Sequence, residues 1–523
     1  MTARSSLRSL TLPAALACAA IAAAGAGCSS ASWPWWKSPT TAGPGAAPPA
    51  AGAAPPVAAA EAAPANIEGV EAVAAAALAS LPVRKWRLAN GLQVITAPDA
   101  SARSVSYVTT YRVGSRDEDA AAGQTGLAHF CEHLMFAEAH GTRGPGRFDR
   151  QLEALGGSGN ATTAYDYTSY TDDAPPSALE AIVRLEAERM AKVQLTPDEI
   201  EREREIVIEE RLQSAEDDID GQLDELVYGQ AFRNHPYRWP IVGRMADIRA
   251  ATPDAVSAFF ARHYGPERAI VVVAGRFDEG SLLRAIAAAY GSLPARTGDG
   301  PGPAVAPERA PEREVRASIT RAVPADRFMV GSPAPGLGDP DRAAYDVLDQ
   351  LLTGGPSARL PRALMVEREL ASSIDADVAA TRDPGLWTIV VQMRRGTRAE
   401  IGDEVIRREL ARLIETAPPL AEMEAARNRL ETDLWTELGS SHARAEVLGA
   451  YDATTGDFRT LVELSAAYAR VSAADVSRVA RTWLGSGARS VVVAHPHPAT
   501  AKAGGNDPAA AERSAGGTGG GGE

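Results

Sequence analysis

Short apolar runs and helical periods alternate along the central part of this chain. Strands are predicted at residues 92–96 and 105–113, where apolar residues form runs of strand length with a turn between them. Helices are predicted at residues 123–139 and 179–193, where apolar positions recur three or four apart. The mixture of strands and helices indicates an α/β unit.

A further helix has a well-defined start. Thr196 can cap it, Pro197 suits its first position, and Glu199 completes a capping box with Thr196. The helical pattern continues to about Leu212. The sequence therefore predicts a capped helix over residues 197–212, and this helix is rich in glutamate.

A weak internal repeat divides the body of the chain into two halves. At an offset of 220 positions, the Val-Val-Val-Ala run at residues 271–274 aligns with the same run at residues 491–494, and Gly265 aligns with Gly485. In both copies a helical pattern passes through a glycine into a β-branched run. We therefore predict two duplicated α/β domains.

The first 28 residues have the pattern of a secretion signal. Arg4 and Arg8 precede an apolar run at residues 10–27, which is short and alanine-rich for a membrane-spanning helix. The run ends at Cys28, in a setting that resembles a bacterial lipoprotein processing site. We expect an acylated Cys28 and a periplasmic protein anchored by lipid to the outer membrane of a Gram-negative bacterium. Cleavage of an ordinary secretory signal is the alternative.

Composition limits the classes of function. The chain has 523 residues, enough for two or three domains, and its 45% hydrophobic and 23% charged residues are typical of globular proteins. The formal net charge of −14 argues against a nucleic-acid partner, because phosphate-binding surfaces need clustered Lys and Arg. Outside the leader the only cysteine is Cys131, so the body of the chain can form no internal disulfide.

The stretch His129-Phe130-Cys131-Glu132-His133 lies inside the first predicted helix. Histidines four apart share a helix face, so His129 and His133 can offer their imidazoles to one ion. Two histidines, a carboxylate and an open position suit a catalytic zinc ion, which lowers the pKa of a bound water to about 7. Glu132 lies beside the pair, where it can take a proton from that water. Two surface histidines without a metal are the alternative interpretation.

A third metal ligand has to come from elsewhere, and the capped helix offers several acids. Glu203 and Glu210 are two helical turns apart and share a face. Spacing alone does not choose among these acids, most of which can also be surface residues in charge pairs with arginines. The candidates are Glu199, Glu201, Glu203, Glu205, Glu209 and Glu210.

Further short motifs surround the histidine pair: Val113-Gly114-Ser115-Arg116, Gly126-Leu127-Ala128, Asn160-Ala161-Thr162-Thr163 with Asp166, Thr168 and Tyr170, His235-Pro236-Tyr237 with Gly243, and Tyr264 with Pro266. With these motifs the chain resembles the pitrilysin/insulinase family of inverted-motif zinc peptidases over residues 83–496. The resemblance is to the two-domain branch that includes mitochondrial processing peptidase. It implies an α+β fold of two homologous domains, each a mixed, largely antiparallel sheet covered by helices.

The resemblance also implies roles for individual acids. The third metal ligand falls on Glu210, 77 positions after His133, with Glu209 as the alternative if the register is off by one. Glu203 falls on a glutamate that orients the site without binding the metal. Together with Glu132 as the base, these residues would form a centre with one Zn²⁺ per chain.

Substrate binding is implied at two places. Asn160 and Ala161 fall on an extended edge segment that pairs with the substrate backbone, although Asn160 could instead be a turn residue. In self-sufficient relatives, an Arg and a Tyr of the second domain grip the substrate near the zinc. Those positions hold Met365 and Ser372 here. We therefore expect a heterodimer with a related subunit that lacks the zinc motif and supplies the Arg and Tyr.

These features predict a zinc endopeptidase that hydrolyses peptides or unfolded segments in a chamber between paired domains. A non-catalytic or scaffolding subunit is the first alternative, and it is disfavoured because every zinc and base residue is present. A tethered binding lipoprotein with a structural zinc is the second, and it would need a fourth protein ligand. The predicted organisation is a signal peptide with a lipoprotein-type site (1–28), an Ala/Pro-rich tether (29–82), a catalytic zinc-binding domain (83–295), a linker (296–315), a second domain without metal (316–497) and a disordered tail (498–523).

Overall fold

The computed structural model describes residues 67–137, 147–192, 195–296, 305–306, 308 and 313–497. The predicted signal peptide (1–28), most of the predicted tether and the predicted tail (498–523) lie outside these residues. Among the helices described, none has both the length and the apolar character needed to cross a bilayer.

The strands of the described ranges form two sheets. They are β1 (Val70–Leu78), β2 (Leu81–Leu88), β3 (Gln93–Pro98), β4 (Val105–Tyr111), β5 (Ser158–Thr163), β6 (Thr168–Ala174), β7 (Ala269–Gly275), β8 (Val315–Arg321), β9 (Arg327–Ala334), β10 (Ala371–Val378), β11 (Gly385–Met393) and β12 (Ser490–Pro496).

Helices cover these sheets, and short 3-10 and π turns extend or connect several of them. The α-helices are α1 (Leu127–Ala137), α2 (Arg147–Ala154), α3 (Leu179–Lys192), α4 (Pro197–Arg211), α5 (Ile219–Ala231), α6 (Met245–Ala250), α7 (Pro253–His263), α8 (Glu279–Tyr290), α9 (Arg342–Thr353), α10 (Arg359–Pro361), α11 (Ala399–Glu415), α12 (Leu420–Glu437), α13 (Ser441–Thr455), α14 (Arg459–Val462), α15 (Leu464–Arg470) and α16 (Ala473–Val479).

The two sheets have corresponding strand orders. The first is β1-β2-β3-β7-β4-β6-β5 and the second is β10-β11-β9-β12-β8. The pairs β3-β7 and β8-β12 are parallel, and the other neighbouring strands are antiparallel. The repeated Val-Val-Val-Ala runs lie in β7 and β12, which have equivalent neighbours in the two sheets. The predicted α+β fold of two homologous domains with mixed, largely antiparallel sheets is confirmed.

One boundary prediction is wrong. β1 lies inside the predicted tether (29–82), where it pairs with β2 from Val70 to Leu78 with one irregularity at Val73. It turns into β2 at Ala79, a residue with φ of +53°. The segment is so rich in alanine that its composition indicates no strand. It is ordered because β2 offers a ladder of backbone hydrogen bonds and because Leu78 is buried in the core.

Each half covers a face of the other half's sheet. The helix α5 of the first half packs on β9 and β12, and α13 of the second half packs on β4 and β7. Both contacts need a glycine: a Cβ on Gly331 would lie 2.4 Å from Val227, and one on Gly449 would lie 2.5 Å from Thr110. A single hydrophobic core cluster runs from the first sheet through α13 into the second half.

A buried ion network holds α13 against the first sheet. Asp452 is fully buried and accepts hydrogen bonds from Lys85 Nζ at 2.6 Å and from Arg112 Nη2 at 2.7 Å. Burial lowers the pKa of Lys85, and the carboxylate of Asp452 opposes that shift. Each charge therefore depends on its partner to remain stable away from water.

We predict that Asp452→Ala destabilises the protein by about 3–5 kcal/mol, because it leaves the buried Lys85 and the partly buried Arg112 without their carboxylate. The measurement is urea denaturation followed by circular dichroism. Glu180→Gln is the control, since Glu180 pairs with Arg184 on an exposed helix face and should cost less than about 1 kcal/mol. Equal stabilities for the two variants would contradict this account of the interface.

Candidate metal centre

The helix that carries the two histidines is fixed at its N-terminus. The carboxylate of Glu118 accepts the backbone N–H groups of Gly126 at 2.8 Å and Ala128 at 2.9 Å. The Glu118 side chain satisfies N–H donors that the helix leaves free, and burial raises the pKa of this carboxyl to about 8 although both N–H groups oppose the shift. Gly126 has φ of +90°, and a Cβ on it would lie 2.6 Å from the carbonyl oxygen of Val242, so a glycine is required at this turn.

The opposing helix α4 begins with the predicted capping box. The side chain of Thr196 accepts the N–H of Glu199 at 3.3 Å, and the Glu199 carboxylate accepts the N–H of Thr196 at 3.1 Å. Ile200 and Val207 are fully buried and pack in the core of the first half. Their spacing turns one face of α4 towards the interior, and α4 packs against α1.

His129, His133 and Glu210 come together where α1 meets α4. Ligand atoms of the three side chains all lie within 4.8 Å of one another. His129 Nε2 is 3.5 Å from Glu210 Oε1, and His133 Nε2 is 3.1 Å from Glu210 Oε2. The two imidazole centroids are 4.7 Å apart. The same ring nitrogen of each histidine therefore faces the same carboxylate.

The donor set fits a zinc ion. Two imidazole nitrogens and one carboxylate oxygen form a ligand set that catalytic zinc sites use with an open fourth position. Burial would raise the pKa of Glu210, but the hydrogen bonds to His129 and His133 outweigh it and lower the pKa to about 2. The carboxylate is therefore ionised at neutral pH, as a metal ligand must be. Within the described ranges no fourth His, Cys, Asp or Glu joins this group.

The neighbouring acids of α4 take different positions. Glu209, the alternative ligand, is exposed and accepts a hydrogen bond from the Gln213 side-chain amide at 3.0 Å. Glu203 is buried, with Oε2 3.9 Å from His133 Nδ1. Burial raises the pKa of Glu203. The geometry favours Glu210 over Glu209 as the ligand, and it puts Glu203 beside the second ring nitrogen of His133.

The predicted base is held from the opposite side of the site. Glu132 is buried on α1, and its Oε2 accepts a hydrogen bond from the Thr163 hydroxyl. Sequence reasoning named neither Thr163 nor Glu118 as site residues. Thr163 lies in one of the motifs that carried the resemblance, and Glu118 comes two residues after another. No spacing in the sequence indicates that either residue contacts α1.

The predicted substrate-binding residues lie on an edge strand. Asn160 and Ala161 belong to β5, where they pair with Thr171 and Tyr170 of β6. β6 is the only neighbour of β5 in the described part of the first sheet. Asn160 is thus an exposed strand residue and not a turn residue, and the outer edge of β5 has backbone groups available for pairing.

Met365, Ser372 and Cys131 lie outside the group of candidate ligands. Met365 packs partly buried against the core, and the exposed Ser372 on β10 donates a hydrogen bond to the Gln392 carbonyl at 3.3 Å. Cys131 is fully buried, and burial raises the pKa of its thiol well above the usual range. Cys131 therefore behaves as a small packing residue of α1 and not as a reactive thiol.

Comparison with known families identifies two adjoining matches. A family model described as insulinase (peptidase family M16) matches residues 93–244. A second model, described as the peptidase M16 inactive domain, matches residues 250–430. The first match contains His129, Glu132, His133 and Glu210.

Curated relatives that are named as zinc proteases or as a processing-peptidase subunit match most of the chain. A zinc protease of Mycobacterium leprae is 30% identical over 380 residues, which is 73% of this chain and 84% of the relative. Zinc protease PqqE of Helicobacter pylori is 27% identical, over 76% of this chain and 89% of its own. The mitochondrial-processing peptidase subunit beta of Blastocladiella emersonii is 25% identical, over 76% and 85%.

Solved structures share the fold. A protease from Helicobacter pylori has a TM-score of 0.74 at 26% identity, and the match covers 79% of this chain and 99% of that protein. An M16-like peptidase from Alicyclobacillus acidocaldarius has a TM-score of 0.70 at 20% identity, over 80% and 99%. The two-sheet architecture is therefore shared with M16-like peptidases over nearly their full length.

We predict that His129→Ala, His133→Ala and Glu210→Gln each abolish stoichiometric zinc binding, because each removes one of three ligands. Glu132→Gln should retain zinc, and Glu203→Gln should weaken zinc affinity by roughly 10–100-fold. The measurement is zinc content by inductively coupled plasma mass spectrometry after dialysis. Glu209→Gln is the matched control, and its loss of zinc would contradict the register of α4.

Proposed function

This chain belongs to the insulinase family of M16 peptidases, and from that membership we propose that it is a zinc-dependent endopeptidase. It would hydrolyse peptides or unfolded protein segments in a chamber between paired domains. The observation that carries the proposal is the convergence of two imidazoles and one carboxylate within 4.8 Å, on the helix pair that also carries the buried Glu132.

The chain's own residues supply the proton chemistry. His129, His133 and Glu210 would hold the zinc ion, which when bound polarises the peptide carbonyl and lowers the pKa of water to about 7. Glu132 would remove a proton from the attacking water and return it to the departing amine. Its buried position suits this task, because electrostatic interactions are stronger where bulk water is excluded.

The peptide would be held through its backbone. An extended segment can add to the free edge of β5 and form main-chain hydrogen bonds at Asn160 and Ala161. Such pairing gives affinity with little dependence on side chains. This mode favours peptides and unfolded segments, since a folded protein has few free extended strands to offer.

The proposed heterodimer rests on Met365 and Ser372, which occupy the positions where self-sufficient relatives have an Arg and a Tyr. A thioether donates no hydrogen bond, and the Ser372 hydroxyl reaches less far than a tyrosine and already donates to a backbone carbonyl. We propose that a related subunit without the zinc motif supplies the Arg and Tyr in a heterodimer. Among the relatives, the mitochondrial-processing peptidase subunit beta of Blastocladiella emersonii is named as a subunit.

A non-catalytic or scaffolding subunit is the second candidate, because the inactive-domain model matches residues 250–430. The complete set of three ligands with Glu132 argues against it. A structural zinc is also disfavoured, because the group found among the described residues has three ligands where a closed site needs four.

We also propose a periplasmic location with a lipid anchor at Cys28, on the outer membrane of a Gram-negative bacterium. Support comes from the leader alone, in which Arg4 and Arg8 precede an apolar run that ends at Cys28.

For catalysis, we predict that the chain alone binds zinc but cleaves an unstructured fluorogenic peptide slowly. Addition of the related subunit should accelerate cleavage by about 10²–10³-fold, the usual contribution of a transition-state hydrogen-bond donor. Glu132→Gln should abolish turnover in the mixture. Full activity from a chain shown to be monomeric would defeat the heterodimer, and near-normal activity of Glu132→Gln would defeat the mechanism.

For the anchor, we predict that the mature protein begins at an acylated Cys28 and partitions with membranes. Mass spectrometry of the N-terminal peptide measures this directly. Cys28→Ala should release the protein from the membrane fraction. An unmodified terminus beyond position 28, on a freely soluble protein, would leave secretion without an anchor.

A further inference from the structure

We propose that Thr163 is a positioning residue that orients the base Glu132 and couples that orientation to the strand on which the peptide lies. The inference rests on the proposed endopeptidase function. Its starting point is the hydrogen bond that the Thr163 hydroxyl donates to Glu132 Oε2. Thr163 is the last residue of β5 and Glu132 lies on α1, so this bond joins two elements that are distant in sequence.

The alternation of β5 explains why Thr163 reaches the base. Successive strand residues point to opposite faces, so Gly159, Ala161 and Thr163 share one face. α1 and α2 pack against β5. A Cβ on Gly159 would lie 3.2 Å from Leu152 of α2, and Ala161 packs against the core of the first half. The face that carries Thr163 is therefore the one turned towards α1.

A hydrogen bond to one carboxylate oxygen restricts the terminal torsion of the Glu132 side chain, which is otherwise its least restricted torsion. The terminal torsion of a glutamate has broad energy wells, so the carboxylate plane rotates readily unless a partner holds it. With Oε2 accepting from Thr163, Oε1 is left for proton transfer. A base with one preferred orientation spends less time in unproductive geometries.

Thr163 is itself held by a fixed turn. The chain reverses between β5 and β6, with Ala164 N–H donating to the Tyr167 carbonyl at 2.8 Å. The backbone N–H groups of Ser115 and Arg116 donate to the carbonyls of Ala164 and Tyr165 at 3.3 and 2.9 Å. The loop that carries Ser115 and Arg116 continues to Glu118, whose side chain caps α1. One short segment therefore contacts both the β5–β6 turn and the helix that carries the two histidines.

The second half also holds this turn. Asp166 accepts hydrogen bonds from the Tyr237 hydroxyl at 2.9 Å and from the Arg382 backbone N–H at 2.9 Å. Arg116 Nη2 lies 2.6 Å from Asp383 Oδ2. Hydrogen bonds from His235 and Arg116 outweigh burial and lower the pKa of Asp383 to about 2. The position of Thr163 therefore depends on both halves of the chain.

The decisive comparison is between Thr163→Val and Thr163→Ser in the assembled, zinc-loaded enzyme. The valine keeps the shape and removes the hydroxyl, whereas the serine keeps the hydroxyl. We expect Thr163→Val to lower kcat by at least about tenfold, part of the 10²–10⁴-fold that a positioned acid–base group contributes. KM and zinc content should be unchanged, and Thr163→Ser should recover most of kcat.

A structural readout accompanies the kinetics. In crystal structures of the two variants, the Glu132 carboxylate should rotate away in Thr163→Val and remain in place in Thr163→Ser. Thr320→Val is the matched control, because Thr320 is exposed on β8, an edge strand of the second sheet. It should change neither kcat nor the Glu132 side chain.

Two results would overturn the proposal: wild-type kcat with an unmoved Glu132 in Thr163→Val, or loss of zinc from that variant, which indicates a merely structural role. Failure of the proposed function looks different. If the wild-type assembly shows no zinc-dependent cleavage, the endopeptidase proposal falls, and the orientation of Glu132 in the two variants still decides the role of Thr163.

Discussion

The packing of α1 against α4 is the contact on which the candidate site depends. The histidines are four apart on one helix, and their ring nitrogens meet a single carboxylate, Glu210, on the other. A one-residue rotation of α4 would replace Glu210 by the exposed Glu209. The register is held by the buried Ile200 and Val207 on one helix and by the Glu118 cap on the other. Metal geometry is therefore a consequence of ordinary core packing.

The second half supports this site, whose three candidate ligands among the described residues all belong to the first half. α5 and α13 are exchanged between the sheets, so neither half buries its apolar surface alone. The ion pairs of Asp452 and Asp383 join the halves at separate places. The contact at Asp383 leads through the β5–β6 turn towards Glu132. The domain that matches an inactive-domain model is thus connected by a chain of contacts to the proposed base Glu132.

Patterns within one or two helical turns of the sequence predicted much of the fold and the site, whereas contacts between segments distant in sequence could not be predicted. The capping box at Thr196 and the histidine spacing act over one or two helical turns, and both are confirmed as helical features. The alanine-rich β1 was missed because its order comes from β2 and not from its own residues. Thr163 was missed as a partner of Glu132 because a hydrogen bond across 31 positions has no periodicity.

The proposal that α1 and α4 together form one zinc site can be tested by anomalous diffraction at the zinc absorption edge. Crystals of the zinc-loaded protein should give one strong anomalous peak per chain, within about 2.0–2.2 Å of His129 Nε2, His133 Nε2 and a Glu210 carboxylate oxygen. A peak bound by other residues, or no peak from protein shown to contain zinc, would contradict the account.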